Sequence, residues 1–228
     1  MRLLLCFLVL APRLLDAAES WQAALSRMPL APHVFRLQRT NCVAVMLDAF
    51  QSNDVVKALI FMPGATDEFY MFRRADAVLT NGSPTLLDAV TALTNQTLIR
   101  ATFCAPFLLL HTDEDPLDPI ENIEDSATAE KLRRGHFVRH ALYNDRDWDS
   151  LIFPVQKASG VFLIPERHSM DSFHFYRHSF AAWNLSNWEA LEALAFAGKT
   201  SFTIEHRKVV FEGDIRVLKE PTFDHWPN

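Results

Sequence analysis

Apolar residues recur along this chain at two spacings. Short runs such as Val34 to Leu37 and Leu59 to Met62 have the length of strands, whereas Val43, Met46, Leu47 and Phe50 fall at i, i+3, i+4 and i+7, the stripe of an amphipathic helix. The whole pattern then returns. His33-Val34-Phe35-Arg36 recurs as His136-Phe137-Val138-Arg139, and Leu59-Ile60-Phe61-Met62-Pro63 as Val161-Phe162-Leu163-Ile164-Pro165. Phe72-Arg73-Arg74 recurs as Tyr176-Arg177-His178, and the run Leu87 to Leu93 as Trp188 to Leu194. Partners stay about 101 to 104 residues apart and keep their order, which predicts an internal duplication.

Each copy predicts the same elements. A strand (Val34 to Leu37; Phe137 to His140) leads into a helix, capped by Asn41 in the first copy and starting near Asp147 in the second, where Trp148, Leu151, Ile152 and Val155 form the stripe and Pro154 predicts a kink. An apolar strand follows (Leu59 to Met62; Val161 to Ile164), then an aromatic one (Phe69 to Arg73; Phe173 to Phe180). Thr85 and Ser186 are suited to cap a second helix with an acid in its first turn. Leu98 to Cys104 with Phe107 to His111, and Ser201 to His206 with Val209 to Glu212, read as closing hairpins.

The predicted fold is α+β: two tandem βαββαββ modules over 33–111 and 135–213, each with two helices packed on small mixed sheets, followed by a tail over 214–228. Residues 112–134 read as an acidic linker turning helical from Ala127, since Asp113, Glu114, Asp115, Asp118, Glu121, Glu124 and Asp125 stand close together with Pro116 and Pro119. Seven acids invite a calcium reading, but neither a loop glycine nor D-x-D-x-D spacing accompanies them.

Composition adds a compartment. Arg2, the apolar run Leu3 to Leu10 and the small residues near Ala17-Ala18-Glu19-Ser20 read as a signal peptide over 1–20, too short to span a bilayer, so the expected protein is exported, periplasmic or secreted, without stable membrane insertion after cleavage. Cys6 falls in that segment and lacks the context of a lipidated cysteine. Cys42 and Cys104 either pair or remain buried thiols; both readings fit their apolar surroundings. A net charge of −6 gives nucleic acid no electrostatic reason to bind. Three glycosylation sequons, at Asn81, Asn95 and Asn184, matter only for a glycosylating source.

Candidate chemistry is sparse. His168, His174 and His178 crowd one segment and suggest a metal-binding protein or an envelope hydrolase. On a strand, however, His174 and His178 lie about 13 Å apart at roughly 3.3 Å per residue, and Arg74 stands in the other copy where His178 does. No G-x-S-x-G elbow and no glycine cluster for a phosphate is present, so neither catalytic residues nor a cofactor are expected. Phe69, Tyr70, Phe173 and Phe175 are the candidates for partner binding, against the alternative that the two modules pack through them.

The order strand, helix, strand, strand, helix, hairpin, with Trp188-Glu189-Ala190-Leu191-Glu192-Ala193-Leu194 followed by Gly198 and the alternating Thr200 to Glu205, resembles the STN domain found at the N-termini of secretins and some TonB-dependent receptors. The likeness is greatest over Asn184 to Glu212. It implies a non-enzymatic domain that binds another envelope protein for assembly or signalling.

Overall fold

The computed structural model describes residues 21–30, 35–38, 46, 50, 56–61, 76–79, 83–111, 121–145, 148–165 and 178–213. The α+β class holds, with helices packed on small mixed sheets. The first half contains β1 (Phe35–Gln38), β2 (Ala58–Phe61), β3 (Asp76–Leu79), α1 (Leu86–Gln96), β4 (Arg100–Cys104) and β5 (Phe107–His111). After β6 (Glu121–Ile123) and α2 (Ser126–Arg134) come β7 (His136–Asp145), α3 (Trp148–Ser159), β8 (Phe162–Pro165), β9 (His178–Ser186), α4 (Asn187–Gly198), β10 (Thr200–Glu205) and β11 (Lys208–Gly213).

Strand pairing follows one scheme in both halves. β1 pairs antiparallel with β3 as β7 does with β9; β4 and β5 form a hairpin as β10 and β11 do; and β5 takes β2 as a parallel neighbour, as β11 takes β8. Both hairpins turn on two residues in matching register, Cys104 opposite Phe107 and Glu205 opposite Lys208. The second helices match as well. Thr85 and Ser186, 101 positions apart, each cap a helix by accepting from the backbone of Asp88 or Glu189, whose carboxylate accepts in return from the cap's N–H. Even the approach to the helix is shared: Leu86 N–H donates to Met28 O, and Asn187 N–H to Gly135 O, both at 2.9 Å.

The halves do not close into separate sheets. β2 pairs antiparallel with β9, so strands of both halves form one five-stranded sheet in the order β4-β5-β2-β9-β7. One face of it, through Leu59, Phe61, Leu108, Leu110 and Ala181, packs into a core with α1 residues and with Trp21 and Leu25 of the helical turn at 21–25. The other face, through Ala58, Ile60, Phe107, Leu109 and Ala182, packs into the core built on α4. α4 is buried nearly all round, as an alanine- and leucine-rich helix covered on several sides must be.

The expected linker is largely part of the fold. Within 112–134, β6 pairs parallel with β10 and α2 buries Ala129 and Leu132, because Asp125 caps the helix and Thr128, Ala129 and Leu132 share its inward face. Residues 112–120 lie outside the described residues, as do 1–20, the tail 214–228 and most of the first copy's first helix. In that helix Phe50 N–H still donates to Met46 O, an i to i−4 bond. β9 covers the end of the predicted aromatic strand, His178 to Phe180, whereas Phe69 to Arg73 and 173–177 lie outside the described residues. α3 forms over its predicted stripe with Pro154 inside it, and Ile152 and Val155 are buried.

Candidate functional site

Among the described residues the sheet of the second half runs β6-β10-β11-β8, with β8 at its edge. Its counterpart β2 has a strand on both sides. The equivalence is set by the hairpins: Ala58 pairs with Phe107 and Phe162 with Lys208, and Phe107 and Lys208 each follow the two-residue turn. Ala58 and Ile60 are fully buried under α4, while Phe162 and Ile164, two residues apart on β8 in the same way, are 65% and 40% exposed. Leu163 between them points into the core. Val210 of β11, half-buried, stands on the hairpin where Leu109 is buried in the first half. Phe162, Ile164 and half-buried Val210 therefore give the β11-β8 part of this sheet's outer face an exposed apolar strip, while Thr203 of β10 on the same face is buried and Leu163 N–H donates to Gln156 Oε1 at 3.1 Å.

The junction between β2 and the second half shows how such a strip is covered. Lys57 Nζ, just before β2, reaches Glu189 Oε1 at 2.9 Å. Burial works against the charge on Glu189, yet Lys57 and the Ser186 donors hold its carboxyl below the usual range. Phe107 meets Phe196 of α4 edge-on at 5.7 Å between ring centres. On the far side of α4, Trp188 lies under the Arg133 guanidinium, 4.3 Å from ring centre to cation, and its Nε1 donates to Glu192 Oε1 at 3.1 Å. Burial first, and Glu121 of β6 second, push the Glu192 carboxyl up to about 7.

A second cleft, of about 790 Å³, lies beside the hairpin turn between α2 and the start of β8. Asp125, Lys131, His206 and Arg207 line it. Its groups already serve the fold: Asp125 accepts from Thr128 Oγ1 at 2.6 Å, Arg207 N–H donates to that hydroxyl at 3.2 Å, and Lys131 Nζ donates to Gly160 O at 3.3 Å.

Of the residues singled out in the sequence, His168, His174, Phe69, Tyr70, Phe173 and Phe175 lie outside the described residues. His178 opens β9 opposite Asp145. Among the described residues no group of three or more histidines, cysteines or acids is placed to hold a metal ion. Cys104 is half-buried on β4, and a pairing with Cys42 falls outside the described residues. No described helix is long and apolar enough to cross a membrane. Phe162 and Ile164 were present in the sequence only as members of an apolar strand. Their exposure follows from the lack, among the described residues, of a layer packed over that face of β8, which strand composition does not encode. Neither the family models, nor the curated proteins, nor the solved structures contain a match to this chain.

Proposed function

We propose that this protein is a non-enzymatic, exported binding or assembly component whose docking surface is the apolar strip that Phe162 and Ile164 of β8 form with Val210 of β11. The observation that carries the reading is the exposure of Phe162 and Ile164 at positions whose counterparts, Ala58 and Ile60, are buried against a neighbouring half. Export to a periplasm-like compartment is supported by the signal-like segment Arg2 to Ser20, and the STN likeness over Asn184 to Glu212 is in keeping with a binding role toward another envelope protein.

The test is site-specific photocrosslinking in the native compartment. A photoreactive phenylalanine analogue at Phe162 should form a discrete adduct with one protein species, and the same analogue at exposed Phe153 of α3 should not. Identical labelling from both positions would remove the reading.

A further inference from the structure

The apolar strip meets the cleft between α2 and the start of β8 at Phe162, which belongs to both. Backbone bonds hold the two together. Phe162 N–H donates to Arg207 O at 3.1 Å, and Arg207 N–H donates to Thr128 Oγ1 at 3.2 Å, so the tip of the β10-β11 hairpin is tied to β8 on one side and to α2 on the other. Arg207 has a φ of 57°, a left-handed backbone that glycine or asparagine adopts at lower cost. The tip thus carries a long cationic side chain at a position where folding alone favours a residue without one.

Charge around this tip is unevenly committed. Asp125 accepts from Ala127 N–H at 3.0 Å and from the Thr128 hydroxyl at 2.6 Å, with His206 Nδ1 at 3.6 Å. Glu205 pairs with Lys208, and Glu212, toward the other end of β11, accepts from Thr203 Oγ1 at 2.9 Å. The Arg207 guanidinium, by contrast, makes no hydrogen bond or ion pair among the described residues, and Lys131 directs one ammonium hydrogen to Gly160 O and keeps the others. The chain as a whole carries −6, which opposes acidic partners at a distance, but salt confines that field to about 8 to 10 Å. At contact the uncommitted charge of the cleft is positive.

The backbone decides which anion suits it. In the cleft wall the N–H groups of Ala127, Val161, Phe162 and Arg207 already donate to Asp125 Oδ1, Ser159 Oγ, Arg207 O and Thr128 Oγ1. These amides therefore form no nest for a chain's terminal carboxylate or a phosphate. Long cationic side chains beside an exposed phenylalanine suit the carboxylates of aspartate and glutamate side chains set next to apolar residues in one segment. We propose that the protein segment docking on Phe162, Ile164 and Val210 carries aspartate or glutamate beside its apolar residues, and that these carboxylates meet Arg207 and Lys131 in the cleft. This partner chemistry rests on the reading of the strip as a docking surface. Apolar contact supplies the affinity, and the charges orient the segment and speed its encounter.

The experiment pans a random peptide library displayed on phage against the immobilised full chain. Peptides recovered on wild type should be enriched in aspartate or glutamate adjacent to apolar residues. Synthesised and labelled, such a peptide should bind Arg207→Gly about three- to tenfold more weakly than wild type, with the difference shrinking at high salt. The Tm of Arg207→Gly should stay close to that of wild type, because glycine adopts the left-handed backbone freely. If this variant fails to fold, Arg207→Asn, which also tolerates that backbone, replaces it. Recovered peptides that lack acids, or that bind Arg207→Gly as well as wild type, overturn the acidic partner; if Phe162→Ala still weakens their binding, the docking strip stands. Peptides that bind Phe162→Ala as well as wild type, or a library that yields none, overturn the strip and the acidic partner together.

Discussion

Leu109 and Val210 occupy the same place in two hairpins of the same register, each opposite a threonine, Thr102 in one and Thr203 in the other. Leu109 is buried and belongs to the core of the opposite half, while Val210 is only half-buried. What differs is the neighbour. The first hairpin lies in a sheet covered on both sides, and β5 reads Phe-Leu-Leu-Leu-His with every residue buried. In the second hairpin β11 alternates, with Val209 and Phe211 buried and Lys208, Val210 and Glu212 not. One strand arrangement has thus been put to two uses, an interior layer and a surface.

That comparison can be broken most sharply by charge. Leu109→Asp should cost on the order of 3 to 5 kcal/mol or prevent folding, because an unpaired carboxylate would enter a shared core, whereas Val210→Asp should cost no more than about 1 kcal/mol. Denaturant unfolding of the two variants measures the difference, and equal losses would erase the distinction between layer and surface.

A close approach unique to the second half gives a smaller effect. A Cβ at Gly135 would sit 2.1 Å from Asn187 Nδ2, beside the Gly135 O bond that fixes the start of α4, so Gly135→Ala should lower stability by about 1 to 3 kcal/mol. In the first half Met28 holds the corresponding bond with a side chain of its own, and Met28→Ala should be milder in the same unfolding assay.

Protonation separates the two helices too. Glu192 has its counterpart in Thr91 of α1, so only the second half carries this titration. Its folded pKa, about 7, lies above the ordinary 4.5, so its contribution is complete below about pH 4.5 and is lost as pH rises through about 7. The Tm of wild type should fall across that interval relative to Glu192→Gln; parallel curves would show that Glu121 and burial do not act on this carboxyl as described.

The smallest effect belongs to the ion pair that ties the halves. Glu189 is held below its usual range, so its contribution is present above pH 4.5 and disappears as pH falls through the lower folded value. Lys57→Met should cost about 0.5 to 1 kcal/mol at pH 7, and the gap to wild type in Tm should narrow in acid. A gap independent of pH would assign the loss to packing of the lysine stem.

Local signals in the sequence located the local structure. The caps Thr85 with Asp88 and Ser186 with Glu189, the helical stripes and the two-residue turns each act within a few positions, and α1, α4 and both hairpins lie close to where these place them. The union of β2 with β9 was not legible, because it joins residues more than a hundred positions apart and rests on packing between whole layers. A trace of it was present: Phe107 to Leu110 is continuously apolar, as a strand covered on both faces requires. Within 121–134 the helix expected from Ala127 is present as α2, but β6 and the inward stripe of Thr128, Ala129 and Leu132 were not read, because the acids around them mask it. The exposed strip failed to register for the converse reason, since Phe162 and Ile164 look like core residues when only the apolar composition of the strand is read.

Hydrogen exchange at β2 and β8 within the same molecule tests the account most directly. The amides of residues 58–61, with a strand on each side, should be protected more strongly than those of Phe162, Leu163 and Ile164, because Leu163 N–H is held by the side chain of Gln156 in place of a neighbouring strand. Equal protection of both strands would contradict it.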